Sequence, residues 1–112
     1  MIIASIKIVV SSEKRQKVVN LIRPIIEPTR VQPGCLSCRV YQDANSEELL
    51  MYEEIWQGQD MLNQHIRSES YENILAAMDL ASQPPKIHFN TIAHSDGIEV
   101  IYAARKVEHA SV

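Results

Sequence analysis

The first ten residues alternate between apolar positions and positions of mixed polarity. A period of two residues is typical of a β-strand with one buried face. That face consists of Ala4, Ile6, Ile8 and Val10. A strand is therefore predicted at the start of the chain.

A helical period follows the first strand. Apolar residues recur three and four positions apart between residues 18 and 26, which predicts a helix with one buried stripe. Ser11 and Ser12 are predicted to cap its N-terminus, with Glu13 in the first turn. Pro24 lacks a backbone N–H, so it is expected to kink the helix or end its regular part early.

Two β-compatible segments come next, at residues 35–42 and 48–56. A four-residue connection, Asp43-Ala44-Asn45-Ser46, joins them as a predicted hairpin. Alternation places Leu36, Cys38 and Val40 on one face of the first segment. Both faces of the second segment carry large apolar side chains, which a sheet with one solvated side does not need.

The rest of the chain predicts a helix after Gly58, a break and a fresh N-cap at Ser68, and a second helical piece. Strands are then predicted at residues 86–93 and 98–104. The order is β-α-β-β-α-β with an added C-terminal strand, which indicates an α+β, ferredoxin-like antiparallel sheet with both helices on one face. The interpretation is one domain over residues 1–112, with a core over 1–95 and a C-terminal strand and tail over 96–112.

The sheet face opposite the helices is predicted to be too apolar for water. Its residues include Ile3, Val9, Tyr41 and Ile92. Packing two such faces together would bury both, so a homodimer with sheet-to-sheet packing is predicted. The C-terminal strand is expected to reach across to the partner.

Composition narrows the classes of function. The chain has 112 residues, a hydrophobic share of 46% and a formal net charge of -3, with charges scattered along it. No basic stripe favours nucleic-acid binding. No apolar run is long enough to span a membrane, and the N-terminus does not have the pattern of a signal peptide. A cytoplasmic location is expected, where Cys35 and Cys38 would stay reduced.

The Cys35-Leu36-Ser37-Cys38 motif offers a redox pair or half of a zinc site. In a regular strand, residues three apart point to opposite faces, and a redox pair of the thioredoxin type lies at a helix N-terminus instead. No second cysteine pair completes a metal site. Neither role is favoured by the spacing.

The stretch from Tyr52 to His65 carries the main candidate site. Alternation puts Tyr52, Glu54 and Trp56 on one strand face, and the helix after Gly58 folds His65 back toward that face. A cleft there could hold a planar aromatic ligand, with Trp56 as a wall and His65 as base or hydrogen-bond partner. The alternative is that Trp56 fills the core and His65 is a satisfied, half-buried histidine.

Two smaller groups of residues are further candidates for a functional role. His88 and Asn90 share one face of a predicted strand and are expected at the dimer seam. No carboxylate at metal-ligand spacing accompanies them, so no metal site is predicted. Four tyrosines could bind a phenolic ligand through their hydroxyls, and nothing in the sequence distinguishes among Tyr41, Tyr52, Tyr71 and Tyr102.

Four short motifs resemble the antibiotic biosynthesis monooxygenase family over most of residues 1–93. They are Pro33-Gly34-Cys35, Tyr41-Gln42-Asp43, Glu54-x-Trp56 and His65-Ile66-x-Ser68. The C-terminal part is similar to a bacterial branch of candidate quinol monooxygenases. The resemblance implies a dimeric α/β barrel with a cavity between sheet and helices in each subunit. It also implies oxidation of a quinol or polyphenol by molecular oxygen, with no metal, flavin or haem cofactor.

On that model His65 is the base or phenolate anchor and Glu54 the orienting carboxylate, while Trp56, Tyr52 and Cys38 contact the substrate. Cys38 stands where many relatives have an aromatic residue, which implies a pocket of different size. Haem-degrading members have an asparagine on the first strand, where this chain offers only Ser5 and Lys7. A non-catalytic module that binds a small ligand, or a stress-associated module, is the alternative function.

Overall fold

The computed structural model describes residues 1–106, and these residues form one antiparallel sheet and four helices. The strands are β1 (Ile2–Val9), β2 (Cys35–Asp43), β3 (Ser46–Trp56) and β4 (Lys86–Thr91). The helices are α1 (Arg15–Arg30), α2 (Gln59–Ile66), α3 (Tyr71–Asp79) and α4 (Glu99–Arg105). The strand order is β2-β3-β1-β4, so the predicted ferredoxin-like α+β fold is confirmed.

The main core lies between the sheet and helices α1 and α3. β1 runs through the middle of the sheet, and its residues alternate strictly between buried and half-buried positions, as the sequence predicted. From α1, the buried stripe adds Val18, Val19, Ile22 and Ile25. The same core also contains, from β3 and α3, the side chains of Leu50, Tyr52, Tyr71, Ile74 and Ala77.

Helix α1 departs from the prediction at both ends. It begins at Arg15 after Lys14, whose side chain makes no capping hydrogen bond, so the proposed caps at Ser11 and Ser12 are wrong. It continues through Pro24 and Pro28 to Arg30, so it does not end early. Both prolines lie on the exposed face, where water can solvate the carbonyl groups that lose a backbone donor.

The hairpin between β2 and β3 is tighter than predicted. Asp43 pairs with Ser46, which leaves only Ala44 and Asn45 in the turn. The Asp43 carboxylate accepts a hydrogen bond of 2.9 Å from the Asn45 backbone N–H, a common way for aspartate to stabilise a turn.

A β-bulge interrupts β2 between Cys35 and Ser37, and it leaves Leu36 without a partner on β3. Leu36 is 57% exposed, whereas Cys38 is buried. The prediction that Leu36 shares one face with Cys38 and Val40 is therefore wrong. An extra residue shifts the alternation of the bulged strand by one position. Side chains before the bulge therefore point to the opposite face from the one that regular alternation would give them relative to the side chains after it.

Helices α2 and α3 are separated near Ser68, as predicted, although the N-cap of α3 is Ser70. Ser68 instead donates a side-chain hydrogen bond of 2.6 Å to the backbone carbonyl of His65. Gly34, in the turn before β2, lies near the first turn of α2. Its φ of 86° is a backbone conformation that favours glycine. A Cβ there would lie 2.2 Å from the Met61 sulfur, so glycine allows β2 to approach α2 closely.

The predicted C-terminal strand over residues 98–104 is wrong, because this segment forms the helix α4. A helix satisfies its backbone hydrogen bonds internally, so residues 98–104 need no partner strand. Glu99 in the first turn and Arg105 in the last turn also favour the helix dipole. Residues 107–112 of the predicted tail lie outside the described residues.

Candidate functional site

Five side chains from three elements meet on the helix-facing side of the sheet. Alternation along β3 directs Tyr52, Glu54 and Trp56 to this side, and the last turn of α2 supplies His65. Cys38 pairs with Glu54 across β2 and β3, which adds a thiol to the group. These five residues are called the Glu54 cluster below.

The Glu54 carboxylate is the centre of the cluster and accepts three side-chain hydrogen bonds. His65 Nε2–H donates to Oε2 over 2.7 Å, and Trp56 Nε1–H donates to Oε1 over 2.8 Å. The Tyr52 hydroxyl also donates to Oε2. The sequence placed these groups on facing elements, and the structure brings them into direct contact.

Burial makes these hydrogen bonds energetically important. Glu54 is 1% exposed and His65 is 1% exposed. Removing a carboxylate from water costs several kcal/mol unless hydrogen bonds and an opposite charge replace the lost hydration. Three donors on one carboxylate replace much of that hydration, so the cluster can persist inside the core.

The imidazole of His65 is held on several sides. Its ring centroid lies 5.0 Å from that of Trp56 and 5.4 Å from that of Tyr71, the latter in a T-shaped arrangement. Because Nε2 bonds the Glu54 carboxylate, this nitrogen carries a hydrogen. Within the described part of the chain, Nδ1 is buried and has no hydrogen-bond partner. Nδ1 is therefore the atom of the cluster that is left to accept a proton.

Burial and the nearby Glu54 charge, in that order, raise the pKa of the Tyr52 hydroxyl far above its usual range. Burial also raises the pKa of the Cys38 thiol to about 11, and the Tyr52 hydrogen bond opposes this shift. Both groups consequently stay protonated at neutral pH. The Tyr52 hydroxyl bonds Glu54, so its oxygen can accept the Cys38 S–H, and the two atoms lie 3.2 Å apart.

The cluster is closed in this conformation. None of its five residues is more than 2% exposed. Four clefts with volumes of about 180–330 Å³ open on the surface of the described residues, and their lining residues lie outside the cluster. In this conformation Trp56 is therefore a core residue, as the alternative interpretation has it. A ligand could contact the cluster only after the cluster opened.

Other candidate residues lie away from the cluster. His88 belongs to β4 and pairs with Ser5, which places it on the sheet face opposite the helices. Nothing in the sequence distinguishes Tyr71 from the other tyrosines, and the structure places its ring against His65. Residues 1–106 contain no group of three histidine, cysteine or acidic side chains that could hold a metal ion. The same residues include no helix long and apolar enough to cross a membrane.

Comparisons with known proteins identify the family of the chain. The model of the antibiotic biosynthesis monooxygenase family matches residues 1–77, which include the whole Glu54 cluster. An uncharacterized protein of Synechocystis sp. is 27% identical over 95 residues, which are 84% of this chain. The chain spans 65% of the length of that relative.

Solved structures also resemble the chain. A conserved protein from Methanosarcina mazei Go1 is 31% identical with a TM-score of 0.74, over 80% of this chain and 89% of that one. A candidate antibiotic biosynthesis monooxygenase from Deinococcus radiodurans has a TM-score of 0.77 at 22% identity, over 88% of this chain and 98% of that one. The second likeness shows the fold alone. From the match of its first 77 residues, the chain belongs to the antibiotic biosynthesis monooxygenase family.

Proposed function

We propose that this protein is a cofactor-independent monooxygenase that oxidises a quinol or polyphenolic small molecule with molecular oxygen. The observation that carries the proposal is the buried pair of Glu54 and His65, whose Nδ1 has no partner among the described residues. A carboxylate that holds one imidazole nitrogen and leaves the other free is the usual arrangement of a histidine base.

The proposed reaction begins with proton transfer from the substrate to His65 Nδ1. Glu54 stabilises the imidazolium that forms, while Tyr52 and Trp56 hold the carboxylate in position. The substrate anion is electron-rich enough to reduce dioxygen itself, which forms a C–O bond and a peroxide anion. The His65 imidazolium returns its proton to that anion and gives the hydroperoxide. For a substrate with a CH₂ group beside its phenolic rings, loss of water from the hydroperoxide gives a ketone, so one oxygen atom enters the product and the other leaves as water.

Substrate access requires movement of the cluster. His65 lies in the last turn of α2, directly before the break between α2 and α3. Short helices that end at such a break open locally at lower free-energy cost than the centre of a sheet. A dry site around the imidazole would then strengthen the interaction of Glu54 with the developing charge.

The test is oxygen consumption with an anthrone-like phenol or a reduced naphthoquinol. We expect His65→Ala to lower the rate about 10²–10⁴-fold, because the proton acceptor is lost. His94→Ala is the matched control, since His94 is exposed and bonds the surface residue Asp96. Its rate should equal that of the wild type.

Circular dichroism establishes that the His65 variant is folded before its rate is compared. Unchanged oxygen uptake in folded His65→Ala would remove His65 from the mechanism. A ligand that raises the melting temperature of the wild type without oxygen uptake would instead favour the non-catalytic binding module.

We also propose that the protein is a homodimer in the cytoplasm, with residues 96–106 packed against the partner. Several large apolar side chains are 45–58% exposed at the β4 edge of the sheet and around α4. They are Ile87 and Phe89 of β4, Ile98 beside α4, and Val100 and Ile101 of α4. A second copy could cover these residues and the apolar sheet face opposite the helices.

Light scattering at micromolar protein concentration tests the dimer. We expect the mass of two chains. Replacing Ile3 and Tyr41 together by Ser should shift the equilibrium toward the mass of one chain, because both lie on the sheet face opposite the helices and each lost apolar contact weakens the interface. A wild type with the mass of one chain would contradict the dimer.

A further inference from the structure

The bulge in β2 changes what the two cysteines can do. In a regular strand Cys35 and Cys38 would point to opposite faces. In the structure Cys35 pairs with Trp56 and Cys38 pairs with Glu54. Trp56 and Glu54 are two residues apart on β3 and share its buried face, so the two cysteines also share one face of the sheet.

The surroundings of the two thiols differ. Cys38 is fully buried, while Cys35 is half-buried at the edge of the core, where it packs against both of its hydrophobic clusters. Both thiols are free. Cys35 is therefore the thiol that a small reagent from solvent reaches first.

The backbone spacing allows a bond between them. Two residues of a partner strand cover about 6.7 Å, which estimates the separation of the two Cα atoms. Disulfides join Cα atoms about 4.4–6.8 Å apart. The separation is near the upper end of this range, and the interrupted hydrogen bonding at the bulge leaves the backbone free to shorten it.

We propose that Cys35 and Cys38 are a modification site, a dithiol that hydrogen peroxide or an organic hydroperoxide converts to an intramolecular disulfide. The Cys35 thiolate attacks the peroxide and breaks its O–O bond, which gives a sulfenic acid and one molecule of water or alcohol. The Cys38 thiolate then attacks the sulfenic sulfur, the S–S bond forms and the S–O bond breaks, and a second water leaves. Two thiols lose two electrons, and the peroxide gains them.

This modification would act on the Glu54 cluster. The Cys38 sulfur lies 3.2 Å from the Tyr52 hydroxyl, which in turn bonds Glu54. A disulfide has no S–H and draws this sulfur toward Cys35, so Tyr52 loses one partner and the carboxylate is held less firmly. A resulting loss of oxygenase activity rests on the proposed function, whereas disulfide formation does not.

The reaction is expected to be slow at neutral pH. Burial raises the pKa of both thiols, the Glu54 charge acts in the same direction, and the Arg30 guanidinium opposes it. Only thiolates attack peroxide, so the rate should increase with pH. The dithiol is therefore stable as long as peroxide is scarce.

The test treats the reduced full-length chain with hydrogen peroxide and measures its mass. We expect a mass lower by two hydrogens, a peptide that links residues 35 and 38, and full reversal by dithiothreitol. Cys35→Ser is the matched variant, since it removes the bond and leaves Cys38 beside Tyr52. It should show no loss of two hydrogens.

Three results would overturn the proposal. They are an unchanged mass after extended treatment at raised pH, a gain of oxygen atoms without a linked peptide, and a disulfide between two chains that persists in place of the internal one. If the internal disulfide forms in a protein without oxygenase activity, the dithiol proposal stands and the proposed function fails.

Discussion

Replacing Glu54 by Ala is expected to lower the free energy of unfolding by about 3–5 kcal/mol. The carboxylate accepts hydrogen bonds from His65, Trp56 and Tyr52 inside the core. Without it, three buried donors lose their acceptor and no water replaces it readily. Chemical denaturation at a fixed chain concentration measures the change, because any dimer would make stability depend on concentration.

Two further variants test whether this loss of stability comes from the missing hydrogen-bond acceptor. Glu47→Ala changes the same residue type at an exposed position of the same strand and should alter the free energy by no more than about 0.5 kcal/mol. Glu54→Gln keeps the shape and one acceptor, so its loss should be smaller, about 1–3 kcal/mol. If Glu54→Ala were as mild as Glu47→Ala, the cluster would not contribute to stability.

Replacing Trp56 by Ala is also expected to lower the free energy of unfolding by about 3–5 kcal/mol. Trp56 is fully buried, lies beside Ile2 and Leu62, and stacks near His65. Truncation removes apolar contacts and leaves a cavity in a core that is thin in a chain of this size. Circular dichroism is the appropriate probe of unfolding, because the chain has one tryptophan and the variant has none.

Trp56→Phe separates the packing of the ring from its hydrogen bond. This variant keeps much of the aromatic contact and loses the N–H that donates to Glu54 Oε1. Its loss should fall well below that of Trp56→Ala. Val31→Ala, at a position 81% exposed, is the surface control and should have little effect. Equal losses for the Phe and Ala variants would show that the hydrogen bond dominates over packing.

Much of the candidate site follows from local periodicity. Alternation along β3 places Tyr52, Glu54 and Trp56 on one face in any regular strand, and the short connection at Gly58 returns the next helix to that face. The sequence therefore predicted that His65 would approach these residues. Local periodicity does not give distances, however, and it left open whether the group lines an open cleft or a closed core.

Three features were decided by tertiary structure. The bulge at Leu36 depends on how β2 pairs with β3, which no property of residues 35–38 reveals by itself. The helix α4 replaced a predicted strand because the short apolar pattern of residues 98–104 suits both, and strand propensity depends on tertiary context. The contact of Tyr71 with His65 depends on how the chain turns between the end of α2 and the start of α3.

By itself, then, the sequence determined the faces of the central strands, the ferredoxin-like order and the membership of Glu54, Trp56 and His65 in one group. These properties depend on neighbours along the chain, and backbone geometry transmits them directly. Only the tertiary structure closed that group around the carboxylate and turned both cysteines to one face. Those outcomes depend on contacts between distant segments, where burial and strand pairing outweigh local pattern.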